Sequence, residues 1–336
     1  MTSMEDTFNA FVVRKKDSIY VRSVEKRKIS DLPNGDVLIQ VHYSSLNYKD
    51  ALSSIGDKTV TRHYPHTPGI DAAGVVVSSN VKHIKKNEKV VIISFDLGAN
   101  TPGGFGQFIQ VPASWVMPLP EGLSLRESMI IGTAGFTAAL AVSFINKYID
   151  KNSKRVLVTG ATGGVGSMSV AFLSLLGYSV VASTGKPESE NFLRKIGANE
   201  IINRENLVDK LNRTLLAETW SGAIDTVGGK TLEYILKSSA KRSVVVTSGM
   251  VSSPKLEITV FPFILRGIHL IGTGASEIEM SDRIKIWNLI SKDWKLKNLD
   301  EISTEINLSK INENIDKLLL GKQTGRVLVN MKDRSD

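Results

Sequence analysis

The chain has 336 residues, with 42 lysines and arginines against 34 aspartates and glutamates, and no cysteine. That length suggests two domains with real cores, and the lack of thiols excludes disulfides and every thiolate metal site. The net charge of +8 is scattered, without the basic face and interleaved aromatics of nucleic-acid recognition. No unbroken run of eighteen apolar residues marks a membrane span, and the first residues lack the layout of a signal peptide. The expectation is a cytoplasmic protein with neither a membrane nor a nucleic-acid partner.

Up to about residue 120 the chain reads as short strands broken by turn residues, at Phe11–Arg14, Val37–Ser44, Gly74–Ser78, Lys89–Ser94 and Phe105–Val111. Between them "LNYKDALSSIG" has helical spacing. From about Met129 the pattern changes. Helix-like "ESMIIGTAGFTAALAVSFINKY" leads to strand "KRVLVTG", helix "GSMSVAFLSLLG" and strand "YSVVAS". Helix "ESENFLRKIGA", strand "EIIN" and helix "LVDKLNRTLLAETW" come next, and strand "GAIDTVGG", helix "TLEYILKSSA" and strand "SVVVTSG" close the alternation. Strands alternating with helices of ten to fifteen residues imply βαβ units and a parallel sheet. A helix at "DRIKIWNLISKDW" and a strand at "GRVLVNM" follow, and that strand is expected to rejoin the first module.

"VLVTGATGGVGSMSV" places Gly160, Gly163, Gly164 and Gly166 between a strand and a helix. Glycine lets the backbone turn tightly and approach a pyrophosphate, which then meets N–H groups and the helix N-terminus. The backbone of Gly160, Ala161, Thr162, Gly163, Gly164 and Val165 is thus expected to bind a dinucleotide. The next strand tip normally carries an acid for the adenosine ribose; here Ser183, Thr184, Gly185 and Lys186 offer hydroxyls and a cation. Arg204 adds a second cation. Unless both are merely solvated loop charges, the expected cofactor is NADP(H).

"SSLNYKDAL", "PGIDAAG", "MIIGTAGFTAA", "TGATGGVGS" and "PFILRGIHLIG" resemble the medium-chain dehydrogenase/reductase superfamily. The resemblance is to its zinc-independent, quinone oxidoreductase-like branch, which includes acrylyl-CoA reductase. It implies an α/β chain with a GroES-like β-rich catalytic domain at 1–127 and 269–336, and a Rossmann doubly wound parallel-sheet domain at 128–268. Zinc-dependent relatives have Gly-His-Glu where this chain has Gly69, Ile70 and Asp71. His63 and His66, the only close pair of the five histidines, sit in a turn-rich stretch, and no metal is expected.

The implied reaction is hydride transfer from NADPH to an α,β-unsaturated carbonyl, either an unsaturated acyl-CoA or an enone, or to a quinone. A nucleotide-sensing or RNA-binding protein on the same fold is the alternative. The resemblance puts Tyr48 against the cofactor or the enolate, Asn47 near ribose or substrate carbonyl, and Asp71 in the site. Packing, helix capping and turn formation are their respective structural alternatives; Lys49 and Asp50 read as structural. Met250, Ile264 and Arg326 are implied near the cofactor, and the family's dimer edge near "RGIHLIG" implies a homodimer. "IGTGASEIEM" departs from the branch's pattern, which leaves open whether Ala275 or Ser276 borders the cofactor.

Overall fold

The computed structural model describes residues 3, 5–150, 155–208 and 211–332. It comprises two compact units, Met1–Thr133 with Ser303–Asp336, and Ala134–Ile302.

The first unit begins with the antiparallel hairpin of β1 (Thr7–Lys16) and β2 (Ile19–Lys28). It continues through β3 (Val37–Leu46), α1 (Tyr48–Ser54), β4 (Asp71–Ser79), β5 (Lys89–Ile93), β6 (Phe108–Val111) and β7 (Met117–Pro118). The chain passes to the second unit within α2 (Leu125–Tyr148). By length and composition α2 is apolar enough to cross a membrane, but 78% of that window is buried.

The second unit holds β8 (Val156–Val158), α3 (Gly164–Leu175), β9 (Val180–Thr184), α4 (Glu190–Lys195), β10 (Glu200–Asn203) and β11 (Trp220–Asp225). It ends with α5 (Gly229–Ser238), β12 (Ser239–Thr247), α6 (Phe261–Arg266), β13 (His269–Gly272), α7 (Met280–Ser291) and α8 (Leu299–Ile302). The chain then returns to the first unit for β14 (Ser303–Asn307), α9 (Ile311–Leu319) and β15 (Arg326–Asn330).

In the first unit β14-β15-β3-β4-β5-β7 form one sheet, with β6 also on β3. Val37, Ile39 and Val41 alternate along β3, so the two-residue pleat sends all three into one core with Val76, Ile92, Ile109 and Val329. As expected, the last strand rejoins this module. β15 pairs antiparallel with β3, Val327 opposite Leu46, which carries Arg326 to the start of α1.

The second unit is a parallel six-stranded sheet in the order β10-β9-β8-β11-β12-β13. The order reverses between β8 and β11, where α/β sheets bind ligands at their carboxyl edge. Here the structure corrects the domain boundaries. His269–Gly272 pairs in parallel with β12, so the second unit runs to Ile302 rather than 268. Its junction with the first falls at 133/134 and not at 127/128.

"LVDKLNRTLLAETW" is not helical among its described residues. Asn203 caps a 3-10 turn at Arg204–Leu207. Leu216 and Thr219 donate their N–H groups to Lys237 and Ser238 at the end of α5, so tertiary acceptors replace the helical ladder. The sequence reading marked no strand at Ile19–Lys28 and no element between Leu299 and Leu319.

Candidate active site: a cofactor edge and a buried polar hub

The turn from β8 into α3 requires glycine at two positions. Gly160 has φ 57°, and a Cβ there would stand 2.3 Å from Thr226 Oγ1. A Cβ on Gly166 would lie 2.2 Å from Gly160 O, so that residue lets the helix close on the loop. Gly163 N donates to Gly160 O and Ala161 N to Ser183 O, which fixes the turn. Thr162 is buried within it. Gly163, the N-cap, has no side chain to spend on the first turn of α3. The N–H groups of Gly164 and Val165, in the first turn of α3, are therefore left uncapped by any side chain, as an anion-binding helix start requires.

Asp225 braces this loop from below. Its buried carboxylate accepts from Thr159 Oγ1 at 2.6 Å, Gly228 N at 2.9 Å, Val227 N at 3.2 Å and Thr247 Oγ1 at 3.3 Å. Thr226 Oγ1 donates to Thr159 O at 2.9 Å. One side chain thus ties the tips of β8, β11 and β12. Burial raises its pKa, against four hydrogen bonds that favour the anion.

At the tip of β9 the Ser183 and Thr184 side chains are buried, and Thr184 Oγ1 accepts from Lys186 N at 3.1 Å. The pairing of Asn203 with Thr184 delivers Arg204 to the same tip. A Cβ on Gly185 would stand 2.5 Å from Arg204 Nε, so the guanidinium lies across this glycine. Partial burial lowers the Lys186 pKa, opposed by Glu188.

Two sequence-predicted residues fare differently. Met250 is exposed but adjoins the Gly228 turn, where a Cβ would meet its Cα at 3.1 Å. Ile264 is exposed on α6. It lies within one turn of Arg266, whose guanidinium donates to Lys237 O and Ser239 O at the amino end of β12.

In the first unit Asn47, Asp71 and Arg326 come together. Asp71 is fully buried. It accepts from Ser45 Oγ at 2.6 Å, Asn47 Nδ2 at 2.8 Å, Thr133 N at 2.9 Å and Thr133 Oγ1 at 2.5 Å. Arg326 Nη2 stands 3.9 Å from it. The guanidinium donates to Ile130 O, Leu46 O, Asn47 Oδ1 and Ser45 Oγ. Its donors are taken up inside this hub rather than offered at a surface. Gly132, at φ 51°, kinks α2 against it. A Cβ there would meet Asp71 Oδ2 at 2.5 Å and Ser45 Oγ at 2.6 Å.

The turn role considered for Asp71 belongs to Asp50. Its buried carboxylate accepts from Gly69 N and Ile70 N on one oxygen and from Asn47 N on the other. It thereby pins the entry of α1 to the entry of β4. Burial and the charge of Asp71 push its pKa up to about 7, against these three N–H groups.

A carboxyl whose folded pKa is raised stabilises the protein fully below the unfolded value. That contribution is lost as pH rises toward the folded value. Relative to Asp50→Asn, the wild type should lose about 1.4 kcal/mol per pH unit between roughly pH 4 and 7. Urea unfolding of both proteins across that range measures the slope; a flat difference means Asp50 is ionised throughout.

Tyr48, the first residue of α1, is 43% exposed, and its hydroxyl has no hydrogen-bond partner among the described residues. That exposure leaves its ring half-buried at the start of the helix.

Residues 33–121 match the sequence model described as "Alcohol dehydrogenase GroES-like domain", and residues 164–292 that of "Zinc-binding dehydrogenase". The acrylyl-CoA reductase AcuI of Ruegeria pomeroyi is 38% identical over 96% of this chain and 99% of its own. The yhdH oxidoreductase of Salmonella enterica, solved in complex with NADP, superposes with TM-score 0.93 at 38% identity, covering 96% of this chain and all of that one. Bacillus subtilis yhfP, solved with NAD bound, gives 0.94 at 39%, covering 97% and 99%.

The chain belongs to the medium-chain dehydrogenase/reductase superfamily. It is an oxidoreductase of the quinone oxidoreductase-like branch.

The zinc implied by one matching family description does not fit the residues present. Ile70, buried and apolar, takes the place of a histidine ligand, and the chain has no cysteine. Among the described residues no group of three His, Cys, Asp or Glu could hold a metal.

The sequence reading did not single out Ser45, Thr133, Thr159 or Asp225 as site residues. Asp225 did leave a signal, since it is a polar residue closing the strand run "GAID".

Proposed function

We propose that this oxidoreductase is NADPH-dependent and reduces an α,β-unsaturated carbonyl, with an enoyl thioester as its best substrate and quinones as further acceptors. The Arg204 guanidinium laid across Gly185, next to Lys186, carries the cofactor reading. Two cations and the hydroxyl-bearing tip of β9 suit a 2′-phosphate, which an acid would repel. Relatives solved with NADP and a relative named acrylyl-CoA reductase support the assignment.

When bound, the reduced nicotinamide supplies the hydride that adds to the β-carbon of the acceptor. The chain's own residues do the rest. The glycine loop and the first turn of α3 hold the pyrophosphate, and the tip of β9 holds the adenosine ribose. Without a metal donor set, the charge that gathers on the acceptor's carbonyl oxygen needs hydrogen-bond donors. Tyr48 offers an exposed hydroxyl for this, and for a proton to the α-carbon. The Asn47–Asp71–Arg326 hub keeps the entry of α1 rigid beneath it.

NADPH oxidation with acrylyl-CoA, crotonyl-CoA, an enone and benzoquinone tests the reading. Steady turnover of the thioesters is expected, and no acceptor-dependent oxidation would sink it. Tyr48→Phe should lower kcat by about 10²–10⁴-fold if its hydroxyl is the acid. An unchanged kcat would leave Tyr48 only a cofactor contact.

The partner proposed is a second copy of this chain. β13 is the edge strand of its sheet, and Val260, Phe261, Ile264 and Leu265 beside it in sequence are exposed. An open strand edge with an apolar flank invites self-pairing. Sedimentation should show a dimer that Ile264→Asp weakens; a monomeric wild type refutes it.

A further inference from the structure

We propose that Arg283 is a positioning residue that fixes the loop Thr273–Glu279 and so sets which acceptor is reduced; this rests on the reductase reading above. All six strands of the second unit are parallel, so the loops following them leave from one edge. The cations sit at the tip of β9 and the glycine loop follows β8. A dinucleotide lying in that direction extends next over β11, β12 and β13. The loop after β13 therefore stands at the reacting end.

Two observations mark that end as built to receive a ligand. The buried hydroxyls of Ser248 and Thr273 have no hydrogen-bond partner among the described residues. They lie at neighbouring strand ends, where Thr273 N donates to Thr247 O. Buried polar atoms are normally paired, so such orphans await a partner. Gly272 and Gly274 also have open space where a Cβ would stand, with no positive φ to demand glycine. Room of that kind permits close approach of another molecule to the backbone.

The loop is held from behind by a buried cation. Arg283, in the first turns of α7, is 2% exposed. Its guanidinium donates to the carbonyls of Ala275, Ser276 and Ile278, three acceptors within four residues. Its Cζ stands 5.7 Å from the centroid of Phe136. Ala275 is drawn into the interior while Gly274 and Glu277 stay exposed. A planar fork can satisfy these carbonyls and the ring face together; an ammonium cannot. Of the pair left open by the sequence, Ala275 is the buried anchor and Ser276 the partly exposed neighbour.

The test compares Arg283→Lys and Arg283→Met with wild type at saturating NADPH, using crotonyl-CoA and benzoquinone. Arg283→Met should lower kcat/KM for the thioester about 30-fold or more and leave the Kd for NADPH within about 3-fold. The ratio of the two kcat/KM values should shift by about 10-fold, with Arg283→Lys intermediate. Misfolding lowers both activities equally and leaves the ratio alone, so an unchanged ratio overturns the proposal.

If Arg283→Met does not fold, Gly274→Val, which keeps the clamp and fills the open space, should shift the same ratio; no shift again overturns it. If the wild type reduces neither acceptor, the reductase reading fails instead. Hydrogen exchange then decides the clamp. Arg283→Lys should raise exchange by about 10-fold within Thr273–Glu279 alone, and an unchanged loop refutes it.

Discussion

Replacing Lys186 and Arg204 together by alanine is expected to raise the KM for NADPH by about 10²–10⁴-fold, while that for NADH changes less than about 3-fold. On the proposed cofactor reading each side chain would supply a charge-assisted hydrogen bond to the 2′-phosphate, worth about 1.5–3 kcal/mol. NADH has no such group to lose. The tip's geometry makes the effect a joint one. Arg204 lies across Gly185, and the Lys186 backbone is tied to Thr184 Oγ1, so both cations belong to one small surface. Steady-state kinetics with both nucleotides measures the outcome. Equal losses for NADPH and NADH would show that the two cations shape the loop and do not read the phosphate.

Asp71→Ala should have the largest effect on stability, a loss of about 3–5 kcal/mol in urea unfolding. The carboxylate is fully buried and receives four hydrogen bonds. Its removal leaves the Arg326 guanidinium, itself buried, without the opposite charge that sustains its ionisation. Burial already lowers the Arg326 pKa, opposed by the charges of Asp71 and Asp50. Truncating Arg326 as well should therefore recover stability. The double variant Asp71→Ala/Arg326→Met is expected to be about 1–2 kcal/mol more stable than Asp71→Ala alone. Simple additivity of the two losses would mean that Asp71 acts through its hydroxyl and amide partners and not through the cation.

Neighbouring features of the hub follow from the same economy of space. Gly132 stands at positive φ, and any side chain there would occupy the volume of Asp71, Ser45 and Arg326. The kink in α2 is thus imposed by the hub, whose Asp71 and Arg326 side chains take the Thr133 N–H and the Ile130 carbonyl out of the helical ladder, and not by a proline.

Much of this protein was legible from residues alone, because the signals are local. Short apolar runs bounded by turn residues placed β3, β4 and β5; strands alternating with helices gave the parallel sheet. Glycine spacing after β8 marked the tight turn into α3, and the residues after β9 marked a strand tip that carries hydroxyls and a lysine. Each depends on backbone conformation or side-chain period within some fifteen residues, which a sequence displays directly.

Tertiary structure alone decided the rest, for reasons of packing and charge over long separations. Arg326 joins Asn47 and Asp71 only because β15 pairs with β3. The helical spacing of Leu207–Trp220 yields to hydrogen bonds with the end of α5. β13 belongs with the second unit because its backbone pairs with β12, which no residue pattern announces. Asp50, expected only to be structural, holds the turn that was one of the two readings of Asp71, and Asp71 anchors the hub, since burial and available donors, not residue type, determine what a carboxylate does.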